Sequence, residues 1–307
     1  MPKSSDTTSE GAKTLDGRPR LSNQDAERLY EELSGQKGTA TELPSDRDLN
    51  FAIRATDGSR SVLKISNANE DAAFLALQAD VMQQLSEAGL PVAKVLGTGT
   101  TLLEGRQHAV RLVSWIEGVP LGSSRPISDD LMRDVGAVLA RADQVLSDLD
   151  GKAAPKKFVW NLCYARLTIE DRLQLLPKGR RGLILHYLDL YGQLVEPYRT
   201  QLPHQLVHGD GNDYNILVGP PSAKGERNLT ALIDFGDMSV SARITDPAIA
   251  AAYLAFHRED PIDAMQAVLS GYHAESPVSE LEVASFFVFV ALRLCISVCL
   301  SAEQQAA

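Results

Sequence analysis

Two clusters of polar residues flank two short apolar runs in the second half of the chain. The first cluster is "HGDGNDYN", residues 208–215, and the second is "DFGD", residues 234–237. The runs between them are joined by the polar loop "PPSAKGERN", which predicts a hairpin with strands over 214–218 and 229–234. Because antiparallel pairing places the start of one strand beside the end of the other, we expect both polar clusters at one edge of this hairpin.

Oxygen-bearing side chains dominate that edge. Asp210 and Asn215 precede or begin the first strand, and Asp234 and Asp237 follow the second. Any one of them is a common turn former, so their order and spacing carry the argument. Crowded carboxylates repel each other unless a cation lies between them, and oxygen ligands favour a hard ion such as Mg²⁺. The sequence therefore predicts a magnesium site on a rigid apolar base.

The spacing of these residues resembles that of the protein-kinase-like phosphotransferases, in which an Asp is followed five positions later by Asn and then by a DFG segment. The form that begins at His208 and ends in "IDFGD" resembles more closely the aminoglycoside phosphotransferase and choline kinase family. The strings "HGDGNDYNILV", "LIDFGDM" and "LRLCISVCLSA" are most similar to the hydroxylysine kinases and to kinase domains fused to class III aminotransferases. The resemblance covers residues 22 to 302.

The resemblance implies the α+β class, with a two-lobed protein-kinase-like fold that has a small antiparallel-sheet N-lobe and a mainly helical C-lobe. We predict a disordered leader over 1–21, a nucleotide-binding N-lobe over 22–118 and a catalytic, substrate-binding C-lobe over 119–307. Apolar runs around "TDGSR" predict a hairpin over 50–66, and Ser22 is the expected N-cap of a first helix. Helical periodicity then predicts helices over 128–149, 162–175, 180–202, 247–257, 261–272 and 279–302.

The resemblance also assigns roles at the hairpin edge. Asp210 is implied as the catalytic base, or at least as the carboxylate that orients the substrate hydroxyl. Asn215 and Asp234 are implied to hold the Mg²⁺ ions that bridge the nucleotide phosphates. His208 is placed with the catalytic residues, as a brace of the loop.

Lys64 in "SVLKIS" lies within an alternating apolar strand, where an amine is costly to bury without a counter-charge. The resemblance implies that this lysine binds the α- and β-phosphates and pairs with a Glu on the following helix. The expected position holds Gln78 instead. Three explanations stay open: the alignment slips, another acid such as Glu70, Asp71 or Asp80 serves, or phosphate alone holds the lysine. A plain strand-edge lysine is the fourth.

Two further segments are expected to bind the nucleotide. No GxGxxG loop precedes the Lys64 strand, and "LPSDRDLNF" occupies its place, so the backbone there with Ser45 or Arg47 is expected to cover the phosphates. "RLVSWIEGVPL" is the expected linker between lobes, where backbone groups of Ser114, Trp115 and Ile116 hydrogen-bond the base. Backbone contacts do not select a purine, so both ATP and GTP stay open as donors.

Three residues are candidates for contact with the acceptor substrate. The segment "FVWNLCYARL" resembles a family segment with Trp-Asp-Leu, and Asn161 stands where that segment has an acid. Asp237 and Asp246 are candidates for facing an ammonium group of the substrate. For Asp246, capping the helix that starts at "PAIAAAYLA" is the favoured alternative.

Net charge and cysteine content restrict the possible binding partners and the cellular compartment. The chain has 30 basic and 40 acidic residues, a net charge of −10, and no basic stripe, which argues against nucleic acid. An acidic surface instead favours cationic small molecules. Three cysteines without a CxxC motif indicate a reduced, cytoplasmic setting, in which Cys295 and Cys299 are buried small hydrophobes.

The apolar segment 283–300 is long enough to cross a bilayer, but Arg293 lies within it. We therefore interpret it as a buried core helix, started by a capping box of Ser279 and Glu282, and expect no membrane partner. The chain ends soon after this helix. That ending favours a domain cut from a longer polypeptide with a fused C-terminal domain, and a natural terminus is the alternative.

Together these features predict Mg²⁺-dependent transfer of the γ-phosphate of ATP or GTP to the hydroxyl of a small amine-bearing molecule, such as a hydroxylysine-like amino alcohol or amino acid. The alternative is a non-catalytic, nucleotide-sensing kinase-like module of a larger enzyme, which Gln78 favours and the intact Lys64, Asp210, Asn215 and Asp234 oppose. A metal-dependent hydrolase is the third hypothesis, and it leaves Lys64 without an explanation.

Overall fold

The computed structural model describes residues 17–45, 47–155 and 159–306. Most of the leader predicted over 1–21 lies outside these described residues. Within the described part, Gly17 and Arg18 are bonded to residues further along the chain: the Gly17 carbonyl accepts from Ala68 N at 3.0 Å, and Arg18 Nε donates to the Asp48 carbonyl at 3.4 Å.

The chain divides into two compact units. The first holds the described residues up to Ala79 together with Ala93–Trp115, and the second holds Asp80–Val92 together with Ile116–Ala306. In this part of the chain the division into compact units lies between Trp115 and Ile116, and the sequence analysis predicts the lobe boundary between 118 and 119.

The first unit is an antiparallel sheet of five strands in the order β1-β2-β3-β5-β4. Helix α1 is capped by Ser22 as predicted, since the Ser22 hydroxyl accepts from Asp25 N at 3.1 Å. The elements that begin in this unit are α1 (Asn23–Ser34), β1 (Gly38–Leu43), β2 (Leu49–Ala55), β3 (Arg60–Ile65), α2 (Ala72–Glu87), β4 (Val95–Leu103) and β5 (Arg106–Ser114).

The hairpin predicted over 50–66 is present as β2 and β3. Asp57 and Gly58 form its turn, with Gly58 at φ +87° and Asp57 Oδ1 accepting from Ser59 N at 2.8 Å. Phe51 and Leu63 are fully buried, and alternation places the residues between the buried positions on the opposite face of the sheet. Lys64 is one of those residues.

The second unit is mainly helical and contains two small sheets. One sheet pairs β7 with β10, and the other has the order β6-β8-β9. Its elements are β6 (Val119–Pro120), α3 (Asp129–Leu146), α4 (Ala165–Glu170), α5 (Lys178–Leu194), β7 (His204–Val207), β8 (Ile216–Val218), β9 (Leu229–Leu232), β10 (Ser239–Ala242), α6 (Thr245–Leu254), α7 (Pro261–Glu275) and α8 (Glu280–Ala306).

Two predicted helices are shorter than expected. The helix over 162–175 is reduced to α4 between two 3₁₀ turns, and the helix over 180–202 ends at Leu194. A 3₁₀ turn over Glu196–Gln201 follows, with Pro197 in its first turn. Proline removes a backbone donor, so it is tolerated at the start of a new turn and not in a continuous helix.

Helix α8 is the segment whose composition resembles a membrane span. By length and apolar content it is the one such candidate within the described ranges, and 67% of its most apolar window is buried in the protein. The predicted capping box is present, since Ser279 N donates to Glu282 Oε2 at 2.8 Å and Glu282 N donates to Ser279 Oγ at 3.3 Å. Arg293 is buried within this helix.

Candidate active site

The hairpin of β8 and β9 brings the two polar clusters together, as the sequence predicts. Ile216 pairs with Leu232, and Ile233 N donates to the Asn215 carbonyl at 2.9 Å. Asn215 therefore lies immediately before one strand and Asp234 just beyond the other. Asp234 has φ +65°, a left-handed conformation that costs free energy for a residue with a side chain.

Gly209 lets the two loops approach each other. Its φ is +76°, and a Cβ atom at this position would overlap the backbone oxygen of Asp237. Only glycine meets both conditions. The backbone next to Asp210 therefore packs directly against the loop that follows Asp234.

His208 braces the first loop with both ring nitrogens. Asp210 N donates to His208 Nδ1 at 3.2 Å, so the proton lies on Nε2, which donates to the Ile233 carbonyl at 3.1 Å. The ring is buried and packs edge-on against Phe235, with 4.8 Å between the ring centroids. Since neither nitrogen is left for a ligand, the geometry favours the bracing role over a direct catalytic one.

Asp246 anchors the same loop from helix α6. Its carboxylate is fully buried and accepts from His208 N and from Gly209 N, both at 2.8 Å. It is not the N-cap, because α6 begins at Thr245 and has no side-chain cap bond. The prediction that Asp246 caps the helix or faces the substrate is therefore wrong: both of its oxygens hold backbone amides.

A second buried carboxyl group, Asp143, lies beside that anchor. Burial raises the pKa of Asp143 well above its usual value, and the nearby charge of Asp246 raises it further. Tyr272 OH donates to Asp143 Oδ2 at 2.5 Å. Asp143 therefore holds a proton more tightly than an exposed aspartate does.

The Asp210 carboxylate is held from two sides. Oδ2 accepts from Asn215 Nδ2 at 2.7 Å, and Oδ1 accepts from Arg293 Nη2 at 2.5 Å. Burial raises the pKa of Asp210, the charge of Arg293 lowers it, and the nearby charge of Asp237 raises it again. The Asp210 side chain keeps 17% of its surface exposed, so one side remains accessible.

Asn215 and Asp234 supply oxygens that suit a hard metal ion. The Asn215 amide nitrogen donates to the backbone and side-chain oxygens of Asp210, which leaves Oδ1 as the outward group. No cluster of three His, Cys, Asp or Glu residues forms a metal site among the described residues. Proteins usually bind Mg²⁺ through one or two side-chain oxygens, and phosphates and water complete its coordination. This donor set therefore fits Mg²⁺ that is bound together with a nucleotide.

The remaining predicted substrate residues differ in burial, since Asn161 is buried and Asp237 is half-buried. The Asn161 amide makes four bonds within the protein: Nδ2 donates to Ser239 Oγ at 3.3 Å and to the Val240 carbonyl at 3.0 Å, and Oδ1 accepts from Cys163 N at 3.0 Å and from Ser241 Oγ at 2.9 Å. These bonds use its full capacity and favour a bracing role. Asp237 influences Asp210 by charge, as described above.

In the first unit, Lys64 lies in a polar row across the sheet. Asn50 on β2 and Arg111 on β5 are its cross-strand partners. Gln78 Oε1 accepts from Arg111 Nη2 at 2.7 Å, so the residue at the expected acidic position binds the neighbouring arginine. The Lys64 side chain makes no hydrogen bond or ion pair within the described ranges. Two like charges side by side on one sheet face repel each other.

The other predicted nucleotide residues occupy two connections. Ser45 and Arg47 lie between β1 and β2, on either side of a residue outside the described set, and both are half-buried. Ser114 N donates to the Lys94 carbonyl at 2.8 Å, and Trp115 N donates to the Arg60 carbonyl at 3.3 Å. These two amides are therefore already paired, which leaves the carbonyl groups and Ile116 for the predicted base contact.

Sequence reasoning missed the part that Arg293 plays. Its guanidinium pairs with Asp210, donates to Tyr253 OH at 3.1 Å and lies 4.3 Å from the ring centroid of Trp160. The available signal was one arginine inside an apolar helix, which is costly unless the charge has a partner. In the sequence analysis the same arginine argues only against a membrane span.

The chain is similar to known proteins over most of its length. The sequence matches the phosphotransferase enzyme family (APH) over residues 39–282. Hydroxylysine kinase of Danio rerio is 27% identical over 312 residues, which cover 94% of this chain and 85% of the relative. Hydroxylysine kinase of Bos taurus is 29% identical over 313 residues, which cover 93% and 83%.

Solved structures of kinases share the fold. The amicoumacin kinase hAmiN in complex with AMP-PNP, Ca²⁺ and Ami superposes with a TM-score of 0.70 at 19% identity, covering 94% of this chain and 87% of that one. The GDP complex of aminoglycoside 2'-phosphotransferase-IIIa has a TM-score of 0.61 at 17% identity, covering 93% and 98%. The predicted kinase-like fold, with an antiparallel-sheet first part and a helical second part, is confirmed.

Proposed function

The chain belongs to the phosphotransferase enzyme family and is a small-molecule kinase, and on that premise we propose that it transfers the γ-phosphate of ATP or GTP, with Mg²⁺, to the hydroxyl of a small amine-bearing substrate. The observation that carries the proposal is the hairpin edge. There Asp210 keeps one accessible side while Asn215 and Asp234 present oxygens beside it.

Asp210 is the proposed base. Its carboxylate accepts the proton of the acceptor hydroxyl as the hydroxyl oxygen bonds to the γ-phosphorus, and the bond from that phosphorus to the bridging oxygen breaks, leaving the nucleoside diphosphate. Asn215 and Asp234 are the proposed metal ligands, and the bound ion neutralises charge on the phosphates. His208 and Asp246 hold the loop that carries Asp210, so the carboxylate needs no reorganisation during transfer.

The first unit supplies the proposed phosphate-binding cations. Lys64 has no protein partner within the described ranges, and Arg111 beside it is oriented by Gln78. A neutral amide at position 78 brings no negative charge to either residue. We therefore assign Lys64, with Arg111, to the nucleotide phosphates, and assign Ser45, Arg47 and the connection at 114–116 to the rest of the nucleotide.

A hydroxylysine-like amino alcohol or amino acid is the proposed acceptor. Curated relatives that cover most of this chain are hydroxylysine kinases, although at 27–29% identity the acceptor can differ. Asp237 and the net charge of −10 favour a substrate that carries an ammonium group. The three free cysteines are all buried, which accords with the proposed cytoplasmic location.

A nucleotide-sensing module is the second candidate, because Gln78 binds Arg111 and no carboxylate pairs with Lys64 within the described ranges. Protein kinases require the Lys–Glu pair for activity. The two candidates differ in whether an acceptor is phosphorylated.

An acceptor screen tests the proposal. The purified chain is mixed with Mg²⁺ and ATP or GTP, and nucleoside diphosphate release is measured with 5-hydroxylysine, other amino alcohols and aminoglycosides. We expect at least one amine-bearing alcohol to accelerate release and to appear as a phosphate ester by mass spectrometry. Binding of nucleotide without phosphorylation of any acceptor would favour the sensing module.

A further inference from the structure

Arg293 reaches the Asp210 carboxylate from a distant part of the chain. It lies in the middle of α8, and its side chain is only 3% exposed. Nη2 donates to Asp210 Oδ1 at 2.5 Å, and the two residues are 83 positions apart in the sequence. The ion pair therefore fixes a helix of the core to the catalytic loop.

The guanidinium itself is held by aromatic residues. Nε donates to Tyr253 OH on α6 at 3.1 Å, and the group lies 4.3 Å from the ring centroid of Trp160 and 5.4 Å from that of Tyr253. Tyr253 OH is in turn within 3.2 Å of Ser297 Oγ, one helical turn beyond Arg293. These contacts leave the guanidinium plane little freedom to rotate.

Such an arrangement is poorly explained by stability alone. Replacing a buried ion pair by apolar residues is often neutral or stabilising, because taking two charges out of water costs more than their attraction returns. Arg293 Nη1 is in addition buried without a hydrogen-bond partner among the described residues, which is a further cost. A costly charge in contact with the proposed base is typical of a functional site.

The ion pair with Arg293 restricts rotation of the Asp210 carboxylate. Oδ1 is bound to Arg293 and Oδ2 to Asn215, so rotation about the bond to the carboxyl group would break both interactions. Asn215 is also a proposed metal ligand. The orientation of the Asp210 carboxylate and the position of the Asn215 amide are therefore coupled. Arg293 fixes the carboxylate oxygen that Asn215 does not bind.

We propose that Arg293 is a positioning residue of the transfer reaction, which clamps the Asp210 carboxylate in the orientation that receives the acceptor hydroxyl. The inference rests on the proposed function in so far as its effect is read from phosphate transfer. Arg293 acts through Asp210 and touches neither nucleotide nor acceptor. Arginine is needed because its planar fork binds Tyr253 and Asp210 at the same time, which a lysine ammonium cannot reproduce.

The test compares Arg293→Met and Arg293→Lys with wild type, and uses Arg172→Met as a matched control. Arg172 is also a largely buried arginine that pairs with a carboxylate of α8, Glu303, at 2.8 Å, but it contacts no site residue. With 5-hydroxylysine or the best acceptor of the screen, we expect Arg293→Met to lower kcat about 100-fold, as misplacement of a reacting group does. KM for the acceptor and binding of Mg²⁺-AMP-PNP should be nearly unchanged, and Arg293→Lys should be intermediate.

A double-mutant cycle separates positioning from direct contact. If Arg293 acts through Asp210, then adding Arg293→Met to Asp210→Asn costs no further rate. An unchanged kcat in Arg293→Met, a loss confined to acceptor KM, or an additive cycle would each overturn the inference. If Arg293→Met does not fold, Arg293→Lys carries the same cycle.

Crystal structures of the Arg293 variants provide a readout that does not depend on the acceptor. The inference expects the Asp210 carboxylate to rotate in Arg293→Met, or in Arg293→Lys if the first variant fails, and to keep its orientation in Arg172→Met. An unmoved Asp210 would refute it. Absence of any phosphorylated acceptor with the wild type would instead refute the proposed function, so the two failures are distinguishable.

Discussion

Replacement of Asp246 by Ala tests whether this buried carboxylate supports the catalytic loop. The carboxylate accepts two backbone amides at 2.8 Å, those of His208 and Gly209, and is fully buried. The variant leaves both amides without a partner. A buried donor left unsatisfied costs about 1–3 kcal/mol, so the free energy of unfolding should fall by about 2–6 kcal/mol.

The neighbouring carboxyl group offsets only a small part of this loss. Burial is the larger cause of the raised pKa of Asp143 and the charge of Asp246 the smaller one, so the Ala variant relieves only the smaller cost at Asp143. Turnover should fall together with stability, even at temperatures where the variant is folded, because the loop next to Asp210 loses its anchor.

The assay is urea unfolding at pH 7 followed by steady-state turnover of the folded variant. Asp263→Ala is the matched control, since Asp263 also lies in the first turn of a helix, α7, but is exposed. Its loss of helix-dipole stabilisation should stay near 0.3–1 kcal/mol. An Asp246→Ala variant with the stability of this control and normal turnover would refute the anchoring argument.

Three further outcomes are expected. Lys64→Ala should weaken binding of Mg²⁺-nucleotide, measured by calorimetry, while Lys94→Ala on an exposed connection leaves it unchanged, and equal affinities would contradict the phosphate assignment. Asp234→Ala should raise the Mg²⁺ concentration needed for half-maximal turnover, and an unaltered Mg²⁺ dependence would exclude Asp234 as a ligand. Because the pKa of Asp143 is raised in the folded state, the folded state binds more protons than the unfolded state, and the stability decreases as the pH rises from 3.8, the usual pKa, toward the folded-state pKa, by at most about 1.4 kcal/mol per pH unit. Asp143→Asn should therefore make the free energy of unfolding, measured between pH 5 and 8, depend less on pH. An unchanged slope would show that Asp143 does not titrate in this way.

Local patterns in the sequence predicted the elements that depend on neighbouring residues. The turn at Asp57 and Gly58, the cap at Ser22 and the capping box of Ser279 and Glu282 are all set by contacts within a few positions. The hairpin that brings Asn215 beside Asp234 is also local in this sense, since one polar loop connects its strands. Turn and cap chemistry identify such features from a single sequence.

The rest depends on contacts between distant residues. Strand β7 pairs with β10 across the whole catalytic hairpin, and neither strand was predicted. Strand β1 was also missed, because its short polar segment becomes a strand only by pairing with β2. Tertiary pairing of this kind overrides local preference and leaves little trace in periodicity.

The residues that position the catalytic loop are also set by contacts between distant parts of the chain. Asp246 lies 38 positions from His208, and Arg293 lies 83 from Asp210. Each could be recognised in the sequence only as a charged residue in apolar surroundings, which says that a partner exists but not which one. The sequence motif therefore identified the proposed catalytic and metal-binding residues, and the structure was needed to find the residues that position them.

Asp210→Asn tests the central claim most directly. The change keeps the shape of the side chain and one of its two acceptor oxygens, but removes the charge that accepts the hydroxyl proton. Because Arg293 loses its charged partner, the variant should be less stable than wild type, so transfer is measured at a temperature where both are folded.

The measurement is a single-turnover assay of γ-phosphate transfer to the acceptor, paired with calorimetry of Mg²⁺-AMP-PNP binding. The account predicts a split result: transfer falls by about 10²- to 10⁴-fold, as for loss of a general base, while nucleotide affinity stays close to that of the wild type. Transfer by Asp210→Asn at the wild-type rate would contradict the account.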